Sequence, residues 1–256
     1  VDGLAMDGWF TIDANDVIID DNFAEAFSGT GSDIFNQVEA EGRMDLSIKN
    51  GQFFPQKDDG SRRFKVPIEA KLTNCNLGRN GLISDLNANV SMHVSYETGN
   101  GLSEANAKIV GRSLLVKGRP LSNLQAFGKY EPNDKKFVCR QFISDCCGGK
   151  VTGQCSLDYP GRKGSGYMLQ MIFDSLELES IVHAVDTSPS EKLYSGSANC
   201  DFVMSGALGD NSNRIGRINI GVNDVQVTER SLAGKVLTAA NRNKPSDFFF
   251  KDMSIR

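Results

Sequence analysis

Residues 85 to 96 read Asp85-Leu-Asn-Ala-Asn-Val-Ser-Met-His-Val-Ser-Tyr96. Leu86, Ala88, Val90, Met92, Val94 and Tyr96 fall on one side of an extended chain; Asn87, Asn89, Ser91, His93 and Ser95 fall on the other. Side chains alternate along a strand with a period of two, so this stretch predicts a long strand with one apolar and one polar face. The same alternation continues outward. Phe64, Val66, Ile68, Ala70 and Leu72 precede it, and Val151, Gly153, Cys155, Leu157 and Tyr159 follow it. Beyond these come Tyr167, Leu169, Met171 and Phe173, then Ala198, Cys200, Phe202, Met204 and Gly206. A one-residue slip in register would turn each apolar set to water, so all these faces are expected to share one interior.

Turn chemistry separates the strands. Gly148-Gly149 is expected to close a tight hairpin between a strand over 137–143 and the one after Lys150. Further turns are expected over 159–164, Tyr-Pro-Gly-Arg-Lys-Gly, and over 209–213, Gly-Asp-Asn-Ser-Asn. Strands joined this way form an antiparallel meander. Between residues 42 and 176 the sequence offers no crossover helix of the kind a parallel sheet needs. Short helices are expected at 21–27, 33–39, 177–185 and 228–241, the last capped by Thr228 with Leu232, Val236, Leu237 and Ala240 as its stripe. The fold class is all-β with a few short helices, in a long curved antiparallel meander sheet.

Composition fits a folded chain: 256 residues, 39% hydrophobic and 23% charged, which excludes disorder. No window reaches the roughly 18 to 20 uninterrupted apolar residues of a spanning helix. The start, Val-Asp-Gly-Leu-Ala, lacks a Met, a basic n-region and an apolar h-region, and the chain is expected to be a piece of a longer protein. Residues 1–60 hold 13 Asp and Glu against 3 Lys and Arg, read as a solvated acidic surface. No basic run with interleaved aromatics points to nucleic acid.

The search for chemistry yields little. Cys75, Cys139, Cys146, Cys147, Cys155 and Cys200 contain no C-x-x-C spacing, and His93 and His183 stand apart, so no zinc site is expected. The six cysteines read as small apolar residues on strands, with Cys146 and Cys147 as neighbours at a strand end. Gly164-Ser165-Gly166 and Gly196-Ser197 lack the G-x-S-x-G spacing of a nucleophile elbow. Gly148-Gly149-Lys150 lacks the spacing of a phosphate loop. Asp13, Asn15, Asp16, Asp20 and Asp21 approach a calcium-loop pattern, but Val17 breaks it, leaving an acidic loop and a helix cap. His93 is expected to be exposed, and His183 to be structural on its helix. No catalytic residue, metal ligand or cofactor is expected.

From Leu121 onward the chain resembles the AsmA-like carboxy-terminal region of Gram-negative envelope proteins, the superfamily that includes the TamB and YhdP types. Gly148-Gly149-Lys-Val-Thr-Gly153-Gln-Cys-Ser-Leu157 is similar to the family's Gly-Gly hairpin, and Leu176-Glu-Leu178-Glu-Ser-Ile181-Val182 to its strand-to-helix step. Tyr194 to Asp210 is similar to its strand ending in G-x-x-G-D, and Ile215 to Val227 to the glycine-led strand that follows, with a short helix over Leu232 to Ala240. The resemblance implies a repeating, taco-like β-groove over 42–256, with 121–256 as the AsmA-like region and 1–41 an unassigned segment.

It further implies a non-enzymatic periplasmic protein that is anchored in the inner membrane by a helix outside this fragment and works with envelope protein partners. Its groove would carry phospholipid acyl chains between the inner and outer membranes. The lining would be Val66, Ile68, Leu72, Leu86, Val90, Met92, Val94, Val151, Leu157, Leu169, Met171, Phe173, Phe202, Met204, Ile218 and Ile220. The residues alone leave two alternatives open. One is a cell-surface or periplasmic adhesion scaffold without ligand; the other is a sheet that closes on itself around an ordinary core.

Overall fold

A computed structural model describes residues 8–20, 40–55, 57, 60–77, 83–158, 164–183, 194–208, 210–228 and 247–255; at 182–183, 210–211, 227–228 and 247–255 it describes backbone only. The strands are β1 (Gly8–Ile19), β2 (Glu41–Phe53), β3 (Arg63–Leu77), β4 (Ile83–Glu97), β5 (Gly101–Val116) and β6 (Arg119–Glu131). They continue with β7 (Lys136–Cys146), β8 (Gly149–Asp158), β9 (Gly166–Glu177), β10 (Tyr194–Ala207), β11 (Asp210–Thr228) and β12 (Asp247–Ile255); a six-residue helix, α1 (Leu178–His183), follows β9.

Each strand pairs antiparallel with its neighbours in sequence, so the order across the 12-stranded sheet is the order of the chain. Among the described residues, extensive contacts run between these neighbours and between α1 and β9 and β10, and no second sheet lies over either face. The all-β meander expected from the alternation is therefore present as an open, curved sheet.

Several details differ from the sequence expectation. The hairpin between β7 and β8 turns at Cys147-Gly148, with φ of 47° and 76°, and not at Gly148-Gly149. Lys117-Gly118 repeats this two-residue turn between β5 and β6. Such turns need two successive left-handed residues to match the strand twist, and Cys147 takes the first place. Gly149 instead opens β8, where a Cβ would overlap the backbone carbonyls of Asp174 and Ser175. The turn expected over 209–213 is shorter, because Asp210 lies opposite Ala207 and already belongs to β11.

The helix expected at 177–185 is α1; Thr228, expected as a cap, ends β11. The helices expected at 21–27, 33–39 and 229–241 and the turn over 159–163 lie outside the described residues. Five strands, β1, β2, β5, β6 and β12, have no individually read counterpart in the sequence. β1 brings part of 1–41 into the sheet opposite β2, and β12 extends it beyond β11.

A line of β-bulges crosses the sheet. Asp16, Asn74, Asp85, Asn123, Ser175 and Asp224 all have φ between 50° and 56°. Each precedes an apolar residue: Val17, Cys75, Leu86, Leu124, Leu176 and Val225. The register carries the line from strand to strand: Val17 lies opposite Met44, Met44 opposite Leu72, Leu72 opposite Ala88, Ala88 opposite Gly111, and Gly111 opposite Leu124. A bulge adds one residue and bends its strand, so aligned bulges bend the whole sheet along one line. Asn and Asp enter the left-handed region at least cost among residues with a side chain.

At four of these six residues the backbone amide donates to a side chain on a neighbouring strand. Asp45 accepts from the Asp16 N–H (3.0 Å), Asn87 from Asn74 (3.2 Å), Asn76 from Asp85 (3.3 Å) and Asn199 from Ser175 (2.8 Å).

The buried core sits at this end of the apolar face. Ile19, Cys75, Leu86, Ala88 and Leu114 form one cluster; Cys146, Val151 and Leu176 form another, against which Phe142, Phe173 and Ile181 of α1 pack. The Arg119 guanidinium donates to the Ile181 carbonyl at 2.9 Å and ties the helix down.

Placing a β-branched residue at φ 53° should strain the bulge. Asp85→Val is expected to lower stability by about 1–2 kcal/mol, and Asp85→Gly by less than about 0.5 kcal/mol, in urea unfolding. Equal midpoints for the two variants would contradict the bulge line as a structural constraint.

Candidate functional site

Directly opposed residues in antiparallel strands share a face. One register line runs Ile68, Met92, Ala107, Gly128, Cys139, Cys155, Leu169, Met204, Gly216 through nine strands. A second, nearer the bulges, runs Ala70, Val90, Ile109, Ala126, Phe142, Gly153, Met171, Phe202, Ile218. The apolar faces of the alternating strands therefore do point the same way. At the paired positions from β3 to β11 beyond the bulge line, this face carries no charged side chain.

No residue on either line is buried: all are half-buried except Gly216 and Ile218, which are exposed. The face is apolar and continuous, and no element among the described residues covers it.

Over β5 and β6 the face carries the small residues Ala105, Ala107, Gly111, Ala126 and Gly128, interleaved with the larger Ile109 and Leu124. At the rim away from the bulges, aromatic side chains recur. Phe53 opposes Phe64, which opposes Tyr96; Tyr130 packs against Phe137 with ring centroids 5.3 Å apart and planes tilted by 48°, and Tyr167 follows beyond Leu157.

Several aromatic rings lie over a glycine of the facing strand. Phe10 covers Gly51, Phe142 covers Gly153 and Tyr167 covers Gly206. The ring shields backbone that a glycine leaves open, and the glycine gives the ring room to lie flat.

The other face carries the charged and polar side chains, among which Val110, Phe127, Met168 and Ile172 stand exposed. Lys71 pairs with Asp45 at 3.7 Å, the Ser91 hydroxyl donates to Glu69, and His93 is exposed as expected. The side chain of His183 lies outside the description. Lys57 donates to Glu97, and this bond holds the Glu97 carboxyl below the usual range. Lys129 and Arg140 do the same for Glu131. Both carboxylates help hold connections at the aromatic rim, and their contribution is lost as pH falls through the depressed values.

Asp13 and Asp16 lie on a strand, not in an acidic loop. Ser47 donates to Asp13 at 2.6 Å and Arg43 to both oxygens of Asp16, so these carboxylates serve the β1–β2 pairing. All six cysteines are free thiols, with Cys146 and Cys147 at a strand end as expected. Burial pushes the Cys146 and Cys155 thiols up to about 11, reinforced by Cys147 and Cys139 respectively.

Of the sixteen residues expected on the face, Leu86 and Val151 are buried, at 6% and 1% exposure, and belong to the core beside the bulges. Leu72, Met171 and Phe173 pack against that core from its margin. The other eleven lie on the uncovered part. Sequence reasoning missed β5 and β6, whose alternation is written in Ala and Gly, and the aromatic rim, whose members lie one to a strand. Comparison with protein-family models, with curated proteins and with solved structures returns no match to this chain.

Gly153→Ala would drive a methyl into the Phe142 ring and the Gln170 carbonyl, whereas Gly221 has open space around it. Gly153→Ala is expected to destabilise by about 1–3 kcal/mol and Gly221→Ala by less than about 0.5 kcal/mol. Thermal unfolding of the two variants checks the difference.

Proposed function

We propose that this chain is a non-enzymatic lipid-carrying module, in which acyl chains of phospholipids lie along the apolar face while their head groups stay in water. The observation that carries this reading is the pair of register lines without a charge and without a covering layer. A contiguous apolar surface of this extent on a single-layer sheet calls for an apolar partner. The half-buried Met92, Met171 and Met204 suit mobile chains, because thioethers are unbranched and polarisable. The resemblance to the AsmA-like region supports the same reading and supplies its setting: a periplasmic groove, anchored in the inner membrane outside this segment, that moves phospholipid between the two membranes with envelope protein partners.

The test uses one open and one buried position. Met204 lies between Leu169 and Gly216 and joins neither core cluster. Met204→Asp places a charge in the path of an acyl chain yet leaves it open to water, so the variant is expected to fold with a loss under about 1 kcal/mol. It should also lose the phospholipid that co-purifies with the wild type, read by organic extraction and mass spectrometry. Val151→Asp buries an unpaired charge and should unfold the protein, a loss of roughly 3–5 kcal/mol. A wild-type protein that carries no phospholipid and takes up no fluorescent acyl probe would instead identify a scaffold without ligand.

A further inference from the structure

The six thiols are not equivalent. Cys146 and Cys147 are sequence neighbours with sulfurs 3.7 Å apart, but Cys147 is the first residue of the β7–β8 turn, and a bridge between adjacent residues would have to break that turn. Cys75 is buried beside β2, and Cys200 lies opposite Phe173 and Ile220, neither with a second cysteine across the ladder. Cys139 and Cys155 differ from all of these: they are direct partners across β7 and β8, and both are half-buried on the uncovered face.

Direct antiparallel partners have Cα atoms about 4.5–5.5 Å apart, inside the roughly 4.4–6.8 Å that a disulfide spans. The ladder beside them is interrupted. The register between β7 and β8 shifts between Cys139 and Phe142, and the Cys139 thiol donates to the Gln141 carbonyl at 3.5 Å, within that irregular stretch.

We infer that Cys139 and Cys155 are a disulfide-forming site, oxidised by exchange with a small-molecule disulfide, that places a covalent rung in the face where the hydrogen-bond ladder is broken. The Cys139 thiolate attacks one sulfur of the reagent and releases the first reagent thiolate, forming a mixed disulfide. The Cys155 thiolate then attacks the Cys139 sulfur and releases the second. The two protons leave with the two reagent thiols, so one disulfide is reduced as one forms. The bridge lies on the line that includes Gly128 and Leu169, in the floor of the apolar face, whatever that face carries.

Incubating the folded chain with oxidised glutathione and then blocking free thiols tests this directly. Trypsin separates the cysteines: Cys139 falls in 137–140, Cys155 in 151–162, and Cys146 with Cys147 in 141–150. The expected result is a cross-linked peptide joining 137–140 to 151–162 that separates on reduction, with four of the six thiols still titrating in denaturant. A full count of six thiols, a stable glutathione adduct on Cys139, or a bridge within 141–150 would each overturn the inference.

Discussion

At four of the six left-handed residues on the bulge line the backbone amide turns to a side chain of the neighbouring strand, and an unpaired amide inside a sheet is costly. Asp45, Asn76, Asn87 and Asn199 supply the missing acceptor from the strand next door. The acceptor must be short, must sit on the neighbouring strand, and must lie level with the bulge. One Asn or Asp therefore fixes the bend of its neighbour, and the repetition of the device across the sheet aligns the bends. The curvature, the position of the core and the orientation of the uncovered face all follow from that alignment.

Stability is unevenly distributed as a result. Beside the bulges, Cys75 and Val151 are almost fully buried, and α1 closes over Leu176 and Phe173. Toward the aromatic rim Ala105 and Tyr130 are buried outside those two clusters, and strands hold together through the ladder, through rings laid over glycines, and through exposed ion pairs of small individual worth. Such an arrangement puts rigidity at one end and leaves the apolar face free to accept something else, which is the property the proposed lipid-carrying role needs.

The sequence made the fold legible where the apolar positions are large. Val90, Met92 and Val94 leave no doubt about period or face. It was illegible where the face is built from Ala105, Ala107 and Gly128, since small residues give little hydrophobic contrast, and in β1, where the extra residue at Asp16 shifts the alternation out of phase. The Gly148-Gly149 pair misplaced its turn by one residue because a glycine in a strand marks a close approach of backbone as often as a turn. For the candidate site, the direction of the face was readable from period alone. Depth was not: Leu86 and Val90 have the same pattern, and only the bulge at Asp85 puts the first of them in the core.

Chain order and sheet order coincide here, so every strand pairing among the described residues joins neighbours in sequence. Sheets of this kind behave as one-dimensional arrays, whose stability accumulates by unit and interface. Removing or duplicating a hairpin would leave the pairing rules of the remainder intact, provided the bulge line stays in phase. The breadth of the apolar face is then a quantity that descent can lengthen or shorten in steps of two strands, without redesigning a core.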